Sequence, residues 1–222
     1  MRMRKKAWAR PELDACPYYI KDPSLLKGKW SSWYPIPQPL HVELGCGKGV
    51  FTSRIASLNP GINYLGIDLS CDVLGVARRN IEQAYAEQKL PMSNIALAAY
   101  DIERILDILD GNDTAERIYI NFCNPWPKGK HHKKRLTHTR QLEKYKTFLA
   151  DGGEIWFKTD NTDLYLATLR YLKESGFEVL SQTADLSAEG DPNNIVTEHE
   201  LMFTQQGIPI KRIAARWNKP SP

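Results

Sequence analysis

From residue 40 onward the chain alternates between two hydrophobic periods. Short apolar runs of strand length and composition occupy residues 40–44, 64–67, 95–99, 118–122, 154–157 and 177–180. Between them, apolar residues recur at three-and-four spacing. Leu74, Ala77, Ile81 and Ala84 do so within residues 71–89, and Leu142, Tyr145, Phe148 and Leu149 do so ahead of a turn at Asp151-Gly152-Gly153. Leu164, Ala167 and Tyr171 repeat the pattern ahead of a stop at Gly176. Strands alternating with helices predict βαβ units, and hence an α/β, doubly wound, mainly parallel sheet. The run 208–217 has no room for another crossover helix and is predicted to return as an antiparallel C-terminal edge strand. Residues 1–39, punctuated by Pro11, Pro17, Pro23, Pro35, Pro37 and Pro39, read as a basic N-terminal arm with a short helix. Residues 40–217 then form one doubly wound domain, and 218–222 a C-terminal tail.

In open α/β sheets, ligands bind outside the carboxyl ends of the strands. Polar residues fall at that place five times in succession. Gly45-Cys46-Gly47-Lys48-Gly49 follows the first strand, Asp68 ends the second, Asp101 follows the third, Asn124-Pro125-Trp126-Pro127 the fourth, and Asp160-Asn161 the fifth. One such Asp is more often a helix cap or a turn residue than a ligand. Five in register are hard to attribute to capping. The glycine cluster is not a P-loop, because Lys48 is followed by Gly49 rather than Ser or Thr, and no glycine lies at the required distance upstream. Nor is it a dinucleotide fingerprint, since Val50 stands where the third glycine belongs. The pattern is an acid, Glu43, followed by glycines at 45, 47 and 49. Glycines let backbone pass close to a ligand, and a carboxylate beside them can receive an ammonium group. Asp68, 19 residues after Gly49, suits a ribose diol, whose two hydroxyls meet two acceptor oxygens. An amino group, a ribose and no phosphate site describe S-adenosylmethionine better than a dinucleotide, and Asp101 is then expected to face the adenine amine.

Charge changes the picture further. The formal net charge is +4, but residues 1–10 carry Arg2, Arg4, Lys5, Lys6 and Arg10, and residues 128–135 carry Lys128, Lys130, Lys133, Lys134 and Arg135, with no acid in either window. These ten of 30 basic residues leave 20 against 26 acids elsewhere, a balance of −6. A basic segment directly after a strand edge, on an otherwise acidic body, points to phosphate binding. Trp8 among the arm's cations is either a base-stacking residue or a buried anchor. The four cysteines, at 16, 46, 71 and 123, form no CxxC pair. The adjacent His131 and His132 seldom converge on one ion, and His199-Glu200 lacks a second His four residues after the first, so no metal is assigned. With no apolar run of about 18 residues and no apolar stretch behind the basic start, neither a membrane span nor a secretory signal is expected, and the chain is read as cytoplasmic.

Glu43, Gly45, Gly47 and Gly49 with Gly66-Ile67-Asp68 resemble the class I S-adenosylmethionine-dependent methyltransferases. The run Asn121 to Lys128 (NFCNPWPK), the basic segment to Arg135, Phe157-Lys-Thr-Asp-Asn161 and Thr197-Glu-His-Glu200 resemble the bacterial tRNA (guanine-N7-)-methyltransferase family, and the similarity runs nearly the whole chain from Arg2 and Arg4. The resemblance implies a Rossmann-like methyltransferase sheet, S-adenosylmethionine as methyl donor, tRNA as partner with no obligatory protein partner, and methylation of the variable-loop guanine at position 46. It implies that Glu43, Asp68 and Asp101 hold the donor, and that Lys128, Asp160, Thr197 and Glu200 contact the substrate. Lys130, His131, Lys133, Lys134 and Arg135, with Arg2 and Arg4, are expected on the RNA.

Guanine N7 carries a lone pair and no proton, so no strong general base is required. The chemistry asks for in-line alignment and a tolerant setting for the positive charge moving onto the purine. Asp160 fits the second task, and it or Glu200 can also accept hydrogen bonds from guanine N1–H and the amino group. Asn124 stands where the family has Asp, preceded by Cys123 rather than Ser. A carboxylate about 4 Å from the developing cation contributes at most a few kcal/mol at an effective dielectric near 20, whereas Asn offers a dipole that still suits the donor's amino acid moiety or guanine O6. Asp160 and Asn124 are therefore the catalytic candidates. The competing readings are a class I methyltransferase acting on a base amine, which Asn-Pro-Trp-Pro also brings to mind, and a non-catalytic RNA-binding relative.

Overall fold

The computed structural model describes residues 6–192 and 194–220; Arg2 and Arg4 lie outside them. The chain divides into two compact units, one up to Asp113 and one from Thr114 onward. None of the helices among the described residues is long and apolar enough to cross a membrane.

The first unit holds helix α1 (Ala9–Asp14), strand β1 (Tyr19–Ile20), a 3-10 turn at Pro23–Leu26, α2 (Trp30–Trp33), β2 (Leu40–Leu44), α3 (Val50–Leu58), β3 (Asn63–Asp68), α4 (Cys71–Gln88), β4 (Ile95–Ala99) and a second 3-10 turn at Ile102–Asp107. Its strands run parallel in the order β1, β4, β3, β2. The core strands are near-continuous apolar runs, fully buried from Leu40 to Leu44, as parallel strands covered on both faces require. Most of the arm is part of this unit. β1 extends the sheet beside β4, and Trp30, with no exposure, donates its indole N–H to the Ile108 carbonyl at 2.7 Å. The buried Asp113 carboxylate accepts from the backbone N–H of Gly28 at 2.5 Å and of Trp30 at 3.0 Å. α1 lies so close to α4 that a Cβ on Gly75 would stand 2.6 Å from that of Ala9. Trp8, half-buried, has the Arg79 guanidinium 3.6 Å from its ring centre.

The second unit holds β5 (Ala115–Asn121), a 3-10 turn at Gly129–Lys134, α5 (Thr139–Tyr145), β6 (Leu149–Thr159), α6 (Thr162–Glu174), β7 (Glu178–Thr183), α7 (Leu186–Glu189), α8 (Glu198–Gln205) and β8 (Lys211–Trp217). Strand order is β5, β6, β8, β7. β5 and β6 are parallel, and β8 is antiparallel to both of its neighbours. The last strand returns antiparallel as expected but is not an edge strand: it enters the slot that the β6-α6-β7 crossover leaves open, and β7 takes the outer position.

Two local expectations need correction. Phe148 and Leu149 do not continue the helix, because α5 ends at Tyr145 and Leu149 already begins β6. Asp151-Gly152-Gly153 does not end an element either; it is an irregularity within β6, opposite the register shift between Ala115 and Arg117, with Gly152 at φ +74°. A bulge and a turn draw on the same glycine chemistry.

Gln141 on α5 has no exposure, and neither its amide nitrogen nor its oxygen has a hydrogen-bond partner. Desolvating an amide without replacing its hydrogen bonds costs about 1–3 kcal/mol. Replacing Gln141 with Leu, of similar size and nonpolar, is expected to raise stability by about 1 kcal/mol in chemical denaturation. A loss of more than about 1 kcal/mol would mean that the amide is satisfied after all.

Candidate active site

The first unit builds a site suited to a nucleoside. Parallel register sets Leu44 beside Ile67 and Asp68 beside Ala99, so the glycine loop, Asp68 and Asp101 share one carboxyl edge. Gly45, Gly47 and Gly49 have φ of +83°, +54° and +67°. These left-handed values are the sterically cheap province of glycine, and they fold the chain back over the end of β2. Gly49 also brings the start of α3 against α4, where an added Cβ would lie 2.7 Å from that of Ala77. Asp68 ties the loop to β3, since one carboxylate oxygen accepts from Gly47 N–H at 3.0 Å and the other from Ser70 N–H at 3.0 Å. Each oxygen retains further acceptor capacity. Glu43, only 5% exposed, accepts from the Thr52 hydroxyl. Asp101 is exposed and caps the 3-10 turn through Glu103 N–H at 2.9 Å, so the capping role is occupied alongside any ligand role. A buried carboxylate, an open glycine loop and a strand-end Asp suit an ammonium group and a ribose.

The second unit carries the remaining candidates. Asn121 pairs with Lys158, and Phe122 N–H continues the ladder to the Lys158 carbonyl at 2.9 Å. The segments holding Asn124 and Asp160 therefore leave the sheet at one edge. Asp160 is half-buried, and its backbone carbonyl accepts from Lys211 Nζ at 2.8 Å. Its carboxylate makes no hydrogen bond or ion pair among the described residues. Burial pushes the nearby Cys123 thiol up to about 12, and the Asp160 charge adds to that shift; Cys123 is a neutral thiol at physiological pH. Asn124 is exposed, and its side-chain oxygen accepts from Trp126 N–H at 3.0 Å. This turn-forming bond is open to Asp and Asn alike, so the substitution leaves the loop geometry in place. Phe122 and Trp126, at φ +52° and +43°, are non-glycine residues in the left-handed region. Such strain costs about 1–3 kcal/mol per residue and is held only where surroundings over-determine it.

Three expected contact residues are engaged in the protein's own architecture. Arg135, expected on phosphate, is only 3% exposed and donates to the carbonyl of Pro125 at 2.8 Å and of Trp126 at 3.5 Å. It clamps the Asn-Pro-Trp-Pro loop; the chain buries its planar fork because two strained-loop carbonyls there need donors. Thr197 and Glu200, expected on the substrate, form a reciprocal capping box at the start of α8. Glu200 is also paired with Lys158 at 3.0 Å and accepts from the Asn194 amide at 2.5 Å. Lys158 donates further to Asn194 and to the Ile195 carbonyl. The sequence reading did not single out Lys158, though it lies within the Phe157–Asn161 motif; its contacts come from residues about 40 positions away.

Lys128, Lys130 and Lys133 are exposed, and none has an ion pair among the described residues. Lys134 sits 5.1 Å above the Trp126 ring, and His131 packs on the same indole at 5.7 Å. Positive charge thus remains presented after the loss of Arg135 from the set.

Comparison with known proteins carries this further. Solved structures with the same architecture include the 16S rRNA methyltransferase KamB, at TM-score 0.60 and 11% identity over 85% of this chain and 90% of that one. An antibiotic-related methyltransferase matches at TM-score 0.56 and 17% identity, covering 82% and 88%. At such identities the likeness defines the fold, that of the Rossmann-like methyltransferases. A family model described as putative methyltransferase matches residues 37–213. The tRNA (guanine-N(7)-)-methyltransferase of Clostridium botulinum strain Eklund 17B is 54% identical over 97% of this chain and 98% of its own length. That of Clostridium perfringens strain 13 is 52% identical, covering 97% and 99%. The chain belongs to the bacterial tRNA (guanine-N7-)-methyltransferase family.

Proposed function

We propose that this enzyme methylates N7 of the variable-loop guanine at tRNA position 46 with S-adenosylmethionine as donor. Glu43 receives the donor's ammonium group, the loop of Gly45, Gly47 and Gly49 its backbone-close part, Asp68 the ribose and Asp101 the adenine amine. When bound, that donor supplies an electrophilic sulfonium methyl. N7 brings its own lone pair, so this chain's residues hold and orient rather than remove a proton. Asp160 accepts from guanine N1–H and the 2-amino group, selecting guanine over adenine, and its charge offsets the positive charge gained by the purine.

The observation that carries this reading is the Asp160 carboxylate, half-buried at the strand edge near Cys123 and without a protein partner among the described residues. Asn124 keeps its turn through the bond to Trp126 and leaves its amide to the substrate or the donor. Purified protein is therefore expected to methylate tRNA without repair at this position. Activity that appears only after Asn124→Asp would overturn that assignment.

Lys128, Lys130, Lys133 and Lys134 supply the electrostatic grip on the phosphates. Each phosphate neutralised on a duplex contributes about 0.9 to the slope of log K against log salt. Removing Lys130, Lys133 and Lys134 together is expected to flatten that slope by about 2–3, measured by filter binding across a salt series. An unchanged slope would assign those side chains to bulk solvent.

A further inference from the structure

Phe122, His199 and Phe203 form a ring cluster that none of the roles above uses. Phe122 lies 5.5 Å from His199 at an interplanar angle of 19°, and 6.0 Å from Phe203 at 23°. His199 and Phe203 are 6.3 Å apart at 31°. Other aromatic pairs behave differently: Trp33 with Tyr34, Tyr119 with Trp156, and Tyr145 with Phe148 meet at 90°, 71° and 64°. Near-parallel rings stack face to face, so that Phe122 supports the ring of His199, whereas edge-to-face pairs turn an edge to the neighbour.

This stack sits at a defined place. Phe122 comes two residues before Asn124, and its N–H is bonded to Lys158, two residues before Asp160. Its φ of +52° is a conformation that an aromatic residue rarely adopts. His199 and Phe203 are one turn apart on α8, whose start is already fixed by the capping box and by the Lys158–Glu200 ion pair. The helix therefore does not need His199 for its own anchorage. His199 nevertheless remains exposed, while Phe203, one turn on, is half-buried.

We propose that His199, backed by Phe122 and Phe203, is the platform on which the target guanine stacks while Asp160 reads its edge. This rests on the methyltransferase reading given above and adds to it the residues that hold the base by its face. Stacking on an aromatic side chain contributes without regard to base identity, so the platform supplies grip and Asp160 the choice of base. Methylation at N7 leaves the purine cationic, and a π face attracts a cation. The platform thus favours the charge that develops during transfer over the neutral guanine at the start.

The test compares His199→Ala, His199→Leu and His199→Phe in the full chain, on tRNA lacking 7-methylguanine. Ala and Leu are expected to lower kcat/KM by about 10- to 100-fold. Phe is expected to stay within about threefold of the parent, because it restores the π plane that Leu lacks. Rescue by Phe but not by Leu is the readout that a purely structural role would not give, because both side chains fill space and only Phe offers a π face. Unfolding midpoints serve as a control on this exposed position. Parent-like kcat/KM in His199→Ala, or equal losses in Phe and Ala, would overturn the platform while leaving the methyltransferase reading intact. A parent protein that forms no 7-methylguanine would remove that reading itself.

Discussion

Replacing Asp160 with Ala is expected to lower kcat/KM for tRNA by about 100- to 1,000-fold, with tRNA affinity nearly unchanged. Its carboxylate is the group at the β6 edge with no protein partner among the described residues, so truncation removes nothing from the fold. Hydrogen bonds from a neutral donor to a charged acceptor contribute about 1.5–3 kcal/mol. Asp160 accepts two of them from guanine and adds an attraction that grows as positive charge forms on the purine. Because the second effect belongs to the transition state, the loss should fall mainly on kcat in single-turnover experiments. Asp160→Asn should retain a small part of the activity, since the amide offers one acceptor but sets a donor against a donor at the second position. Near-normal single-turnover methylation by Asp160→Ala would remove this residue from the site.

The largest expected effect on stability is at Lys158. The Lys158 and Glu200 side chains are 7% and 6% exposed, and their ion pair is 3.0 Å long. Burial lowers the Lys158 pKa, while Glu200 opposes that shift and keeps the charged form in place. Removing one partner of a buried pair leaves an uncompensated charge and costs about 3–5 kcal/mol. Lys158→Met should therefore destabilise the protein by that amount in chemical denaturation and release the segment that leads into α8. Adding Glu200→Gln should recover at least half of the loss, because Gln removes the orphaned charge yet keeps an acceptor for Thr197 N–H, which Glu200 now serves at 3.4 Å. A cost below about 1 kcal/mol for Lys158→Met would show that water already reaches the pair.

The pattern of apolar residues located most of the sheet because burial on both faces makes parallel strands nearly continuous. Residues 40–44 and 95–99 are β2 and β4 to the residue, and the helix read over 71–89 is α4 less its last residue. Local chemistry could not distinguish a bulge from a turn at Asp151-Gly152-Gly153. Nor could it place β8 between β6 and β7, because that slot is set by pairing across more than 50 residues. The candidate site divides along the same line. Glycine spacing and strand-end acids were legible, since they follow from where strands stop. The burial of Arg135 beneath Pro125 and Trp126, and the engagement of Glu200 by Lys158, were not. A charged side chain has the same letter whether it faces phosphate or a carbonyl of its own chain, and only tertiary structure decides which.

The central claim is methyl transfer to guanine N7 in tRNA, and it is tested most directly by incubating purified protein with labelled S-adenosylmethionine and bulk tRNA that lacks 7-methylguanine. The expected result is label in 7-methylguanosine, with chain cleavage at that base mapping to a single position in the variable loop. Label on a base amine, or no label under conditions where the protein binds the donor, would contradict it.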